Sequence, residues 1–340
     1  MDLRALPKAE LHLHIEGTFE PEAIFAMAER NGVTLKYPNV EALRHAYAFT
    51  DPQSFLDCRY DCMRVLQKEE DFYELTAAYL LRAHGQNVRH AEIFFDPQAH
   101  TQRGVSFHVV VDGIRAAMRE AERERGITSH LILCFLRDRP VQSARTTLEE
   151  ALAYGEGIVG VGLDSAERGN PPSKFSGVFD QARAEGFLAV AHAGEEGPPA
   201  YIWEALDLLK VRRIDHGVAC MQDGALVQRL VRQQTPLTVC PLSNLRLRVV
   251  DTLADHPLKA MLEAGLCATV NSDDPAYFGG YVTENYDAVT RALLLDGDAV
   301  ITLAKNSFQA SFLDDATKRR HLLDIEQWAA LNVPKRTPSA

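Results

Sequence analysis

No two cysteines in this chain stand at the CxxC spacing of a metal ribbon or a redox motif. The six of them (Cys58, Cys62, Cys134, Cys220, Cys240, Cys267) are scattered. Most lie in apolar runs and read as buried reduced thiols, which excludes a disulfide scaffold. Cys58 and Cys62, one helical turn apart, make a poor zinc site and read as packing. Basic charge is also scarce: 36 Lys and Arg against 47 Asp and Glu leave a net charge of −11. That speaks against a nucleic-acid backbone or an anionic membrane as the main partner. There is no run of eighteen apolar residues and no apolar leader at 1–6, so the protein is expected in the cytoplasm. Repeats and low-complexity segments are absent too. Only the tail at 331–340, polar and carrying two prolines, is expected to fray.

What is present is an ordinary globular composition, 46% hydrophobic and 24% charged over 340 residues. That length suits two domains or one large α/β barrel. Short apolar runs at 9–15, 90–95, 130–136, 158–163, 188–192, 213–216, 237–241 and 268–272 read as strands buried on both faces. Amphipathic stretches with clear punctuation lie between them. Ser106 can cap a helix that Gly126 stops near Arg125, and Asp51-Pro52 opens another with proline at its first position. Eight strands separated by helices predict a single (β/α)8 barrel of the TIM type over 1–330, with a doubly wound open sheet as the alternative. Residues 18–87, between the first two strands, are too many for one crossover. Rich in helix formers and aromatics (Phe49, Phe55, Tyr60, Phe72, Tyr73, Tyr79), they predict a helical insertion covering the barrel mouth.

The chemistry is concentrated at strand ends. His12-Leu13-His14 sits at the end of the first strand, and side chains two apart on a strand share a face, so both imidazoles converge. Alone, such a pair is more often a surface or hydrogen-bonded pair than a ligand pair. The fifth strand, however, ends in His192-Ala193-Gly194-Glu195, the sixth in Asp215-His216-Gly217 and the eighth in Asn271-Ser272-Asp273-Asp274-Pro275. Singly, each has a plain structural explanation: a satisfied core histidine, a turn residue, a helix cap. Four barrel strands breaking their apolar pattern at the same end is harder to explain by packing, since unpaired buried carboxylates and imidazoles are costly. One divalent metal bound by His12, His14, His192 and Asp273 meets that requirement and leaves a position for water. Glu195, past a flexible glycine, can face a substrate as proton donor, His216 can orient the hydroxide, and Asp274 can accept a substrate hydrogen bond.

Five motifs, in order, carry a family resemblance: Leu-His-Leu-His-Ile-Glu-Gly, His-Ala-Gly-Glu, Asp-His-Gly, Cys-Pro-Leu-Ser-Asn and Asn-Ser-Asp-Asp-Pro. From Leu6 to about Phe312 the chain resembles the adenosine/adenine deaminase branch of the amidohydrolase superfamily. The resemblance implies one Zn2+ on His12, His14, His192 and Asp273, since no lysine ends the fourth strand as it does in two-metal relatives. It further implies Glu195 as proton donor to purine N1, Asp274 on N7, and His216 and Asp273 as catalytic groups around the attacking water. The reaction implied is hydrolytic loss of the 6-amino group of a purine, in purine salvage. No partner beyond that small molecule is implied, and the oligomeric state is not readable.

Two places bear on base against nucleoside. Glu16 stands where adenosine deaminases usually carry an aspartate for the ribose 5′-hydroxyl. Asp164-Ser165-Ala166-Glu167 resembles the Leu-Asp-Ser-(Ser/Ala)-Glu segment of adenine deaminases, in place of the Ala-Gly pair of nucleoside enzymes. A carboxylate at Glu167 can accept N9–H of a free base and crowd a sugar; the plain alternative is a solvated loop charge. The expected substrate is adenine, with Ser165, Glu16, Glu167 and Asp274 as binding residues. N6-substituted adenines, or adenosine, are the alternative substrates, and a catalytically idle purine-binding protein is the reading from another class.

Overall fold

The computed structural model describes residues 1–47, 49 and 52–333. Eight parallel strands follow one another around a ring in chain order: β1 (Lys8–His14), β2 (Val88–Phe95), β3 (Thr128–Leu136), β4 (Gly160–Asp164), β5 (Leu188–Ala193), β6 (Arg213–His216), β7 (Leu237–Val239) and β8 (Ala268–Val270). Each expected strand is there, its ends displaced by no more than a residue or two. Helices cover the outside, so the strands are buried on both faces, as the near-continuous apolar character of most of them requires. The barrel is the fold expected, and the open sheet is excluded. Outward-facing Leu11 and Leu13 join the large core between strands and helices, whereas Phe94, Ile132, Cys134 and Val190 form a small cluster within the ring.

β8 meets β1 through a bridge between Leu13 and Asp273. There His14 N–H donates to Asp273 O and Asp273 N–H donates to His12 O, both at 3.0 Å. Nearby, Leu11 N–H donates to Asn271 Oδ1 at 2.8 Å. The seam that closes the ring thus runs through three of the residues that the strand-end pattern marks.

The Phe107–Arg125 helix begins at Ser106, whose hydroxyl accepts from Val109 N–H, and ends at Gly126 with φ of 66°. Another helix, Pro52–Met63, starts at the expected proline; Asp51 lies outside the described residues, as does most of the tail expected to fray. Four helices separate β1 from β2: Pro21–Asn31, Val40–Ala46, Pro52–Met63 and Glu69–Gly85. They dock on the segment after β8 through aromatic contacts, with Tyr47 and Tyr277 centroids 4.4 Å apart and Phe55 and Phe278 centroids 4.8 Å apart. All six cysteines are buried free thiols. No helix among the described residues is long and apolar enough to cross a membrane.

Candidate active site

The carboxyl ends of the strands, the face on which barrel enzymes build their sites, surround a cavity of about 380 Å³. His14 of β1, Asp164 and Ser165 at the end of β4, His192 and Glu195 from β5, His216 of β6, and Asp273 and Asp274 after β8 line it. Phe55, Leu56 and Arg59 reach it from the Pro52–Met63 helix. Three of these residues turn the chain off its strand with a left-handed backbone: Ser165 (φ 70°), His216 (64°) and Asp273 (65°). For a non-glycine residue that conformation costs about 1–2 kcal/mol, and such strain gathers at sites where side chains must be aimed.

His12 and His14 both face the inside of the ring, with Phe94 beside them at centroid distances of 5.0 and 5.2 Å. His14 Nε2 is 3.1 Å from His192 Nε2 and 3.5 Å from Asp273 Oδ1, and His12 Nε2 is 3.3 Å from the same Asp273 oxygen. Donors on a tetrahedral zinc stand about 3.3 Å apart, given bonds of about 2.0–2.1 Å. The tautomer of His12 is fixed from behind. Thr238 Oγ1 donates to Asp215 Oδ1 and so accepts from His12 Nδ1–H, leaving Nε2 as a bare lone pair. That buried Nε2 has no hydrogen-bond partner of its own, an orphan that a metal would satisfy. Burial keeps His14 and His192 well below the usual imidazole pKa and His216 at about 3, so all three are neutral, the form that ligates. This donor set suits a bound divalent metal.

Beside it, Glu195 Oε2 lies 3.4 Å from His216 Nε2, whose ring is also 3.8 Å from Asp273 Oδ2. Burial, and then the negative charge of Asp273 and neighbouring carboxylates, pushes Glu195 well above the usual carboxylate range. That favours its protonated form, the one a proton donor needs. Asp274 is ion-paired with Arg59, Nε to Oδ1 at 2.9 Å. Gly17 packs against it so closely that a Cβ there would lie 2.2 Å from Asp274 Oδ1 and 2.5 Å from its Cα. Gly17→Ala is therefore expected to displace Asp274 and cut kcat/KM by about 100-fold, the usual toll of a misplacement near 1 Å. Steady-state kinetics beside a thermal melt would test this; an unchanged kcat/KM would show the packing to be slack.

Ser165 lines the cavity, its hydroxyl 3.3 Å from Tyr60 Oη. The two glutamates expected to bind substrate do not line it. Glu167 is 2% exposed, and its oxygens accept the N–H groups of Gly194, Glu195, Glu196 and Gly197. It is thus neither free to meet N9–H nor a solvated loop charge. Glu16 is displaced because β1 ends at His14 and the chain winds into a single tight turn, Ile15–Thr18, which breaks the two-residue period. Its carboxylate accepts from Asp96 N–H and His100 Nε2–H, with Arg59 at 3.6 Å. Burial opposes ionisation there, but His100 and Arg59 hold its pKa at about 2.

Arg59 is the functional residue the motifs do not announce. Fully enclosed, it pairs with Asp96 (2.8 Å) as well as Asp274 and Glu16. The sequence holds one signal for this hub: Phe95-Asp96-Pro97 ends β2 with the same carboxylate-proline signature as Asp274-Pro275. Asp164 lies next to Asp96 and 3.5 Å from His14 Nδ1. Burial, and then the charge of Asp96, pushes its pKa well up.

Comparison with known proteins agrees with this geometry. The adenosine deaminase family model matches residues 7–328. Adenine deaminase of Streptomyces coelicolor is 60% identical over 328 residues, 96% of either chain, and that of Sphingopyxis alaskensis 59% over 327, again 96% of either. The crystal structure of adenine deaminase from Arthrobacter aurescens superposes with a TM-score of 0.95 at 55% identity, covering 96% of this chain and all of its own. A zinc-bound amidohydrolase from Burkholderia ambifaria gives 0.88 at 26% identity, covering 97% and 93%. With a family model spanning nearly its whole length and relatives this similar, the chain belongs to the adenosine deaminase family.

Proposed function

We propose that this protein hydrolyses adenine to hypoxanthine and ammonia. The observation that carries the reading is a buried glutamate, Glu195, with its pKa pushed well up by burial and neighbouring carboxylates, in the cavity beside the His12, His14, His192 and Asp273 donor set. A zinc ion held by those four residues would supply a water with its pKa lowered from about 16 toward 7, a nucleophile at neutral pH. Asp274, steadied by Arg59 and with its pKa pushed well up by burial, donates from its protonated form to N7 and fixes the plane of the purine. Glu195 gives its proton to N1, which relieves the ring of the negative charge that attack at C6 would otherwise leave on it. Asp273, through the oxygen turned toward His216, takes the proton that the attacking water gives up. His216, neutral, holds the new oxygen substituent at C6. The amino group then leaves as ammonia, taking that proton, while the proton still on the C6 oxygen returns to Glu195, so that the 6-oxo purine remains and the acid is restored.

With Glu167 occupied by the backbone, free adenine over adenosine is supported by the 55–60% identity to proteins named adenine deaminase. Turnover of adenine, adenosine and N6-methyladenine by zinc-loaded protein tests it. Adenine is expected to exceed adenosine in kcat/KM by about 100-fold or more. A preference for adenosine would overturn the base reading, and no loss of amine from any purine would overturn the deaminase reading.

A further inference from the structure

We infer that Glu167 is a positioning residue for proton transfer: its carboxylate gathers four successive backbone N–H groups and so fixes the turn that carries Glu195. Gly194 N–H donates to Oε1 at 2.6 Å, while Glu195, Glu196 and Gly197 donate to Oε2 at 3.0, 2.8 and 2.8 Å. Residues 194–197 belong to no helix or strand, so these amides have no ladder to satisfy them. A buried carboxylate that answers four at once through charge-assisted bonds is the main tie on the segment. The second observation is steric. A Cβ on Gly197 would stand 2.6 Å from Glu167 Oε1 and 2.7 Å from its Cδ. The turn has glycine where any side chain would drive the carboxylate out. Gly197 has no left-handed φ, so this close approach is what calls for glycine there.

The clamp joins two strand ends. Glu167 follows β4 and the turn follows β5, so the acid is set by the neighbouring strand as well as by its own. The inference rests on the role of Glu195 proposed above. It differs from a general stabilising role in one respect: Glu167 should matter only through Glu195.

The test uses the full zinc-loaded chain as Glu167→Gln, Gly197→Ala, Glu195→Gln and the double variant Glu195→Gln/Glu167→Gln. Readouts are kcat and KM for adenine, zinc content, and Kd for hypoxanthine. Glu167→Gln keeps one acceptor oxygen but turns an amide donor toward backbone donors; Gly197→Ala disturbs the clamp without altering any polar group. Each is expected to lower kcat about 100-fold, with zinc retained and hypoxanthine Kd within about threefold of wild type. In the Glu195→Gln background the second change is expected to cost nothing further, the non-additivity of groups acting as a unit. If Glu167→Gln fails to fold, Gly197→Ala carries the same comparison. A folded, zinc-loaded variant with wild-type kcat, or additive losses in the double variant, would overturn the clamp while leaving Glu195 as the acid. Wild-type kcat in Glu195→Gln alone would remove the acid, and the clamp's role with it.

Discussion

Glu195→Gln is expected to lower kcat by about 10²–10⁴-fold, the contribution of a positioned general acid, while the protein keeps its zinc. Glutamine preserves the size of the side chain and a hydrogen bond to N1, but it has no proton to give. Burial and surrounding carboxylates raise the pKa of the wild-type side chain and favour its protonated form. The sign of the pH dependence follows: as pH rises through that raised value the acid is lost and kcat falls. Residual turnover by the glutamine variant should lack this alkaline limb. Single-turnover rates across pH, with metal analysis of the same preparation, would check both points. A zinc-free variant would make Glu195 a structural support of the metal site and overturn its role as acid.

His12→Ala is expected to abolish metal binding and to lower activity by about 10⁴-fold or more, because unassisted water is scarcely ionised at pH 7. Chelation of the wild-type protein should do the same and be reversed by zinc. Stability should follow. A ligand at 100–1,000 times its Kd stabilises a fold by about 2.7–4.1 kcal/mol, and without it the bare Nε2 of His12 is left buried with nothing to bind. Calorimetry with and without chelator, beside elemental analysis, would measure the loss. Full activity in metal-free protein would overturn the metal reading.

The barrel and its four-donor cluster were legible in the sequence for the same reason. Buried parallel strands are mostly apolar, so histidines and aspartates recurring at the same end of several stand out, and strand geometry alone makes His12 and His14 converge. What was not legible depends on where the chain goes after the strand. Glu16 reads as two positions past His14 on one face, but β1 stops at His14 and a tight turn aims Glu16 at His100 and Arg59 instead. Glu167 reads as a neighbour of the purine, but the left-handed turn at Ser165 and the path of residues 194–197 bring the two loops together so that its carboxylate meets backbone amides and not the cavity. Arg59 comes from a helix whose docking no local pattern records. Its three carboxylate partners come from β1, β2 and β8 ends, residues brought near it only by the closed ring.

That ring is fastened at Leu13 and Asp273, beside a Leu11–Asn271 bond that spans 260 residues of chain. A growing polypeptide emerges with His12 and His14 near its start and acquires His192 midway, but it has no fourth donor until residue 273 is made. The first strand has β2 beside it early but must wait for its second neighbour, β8, until most of the chain has been made. Metal capture by the complete donor set is thereby postponed to the moment the last strand joins the first. A bound ion marks a ring that has been closed.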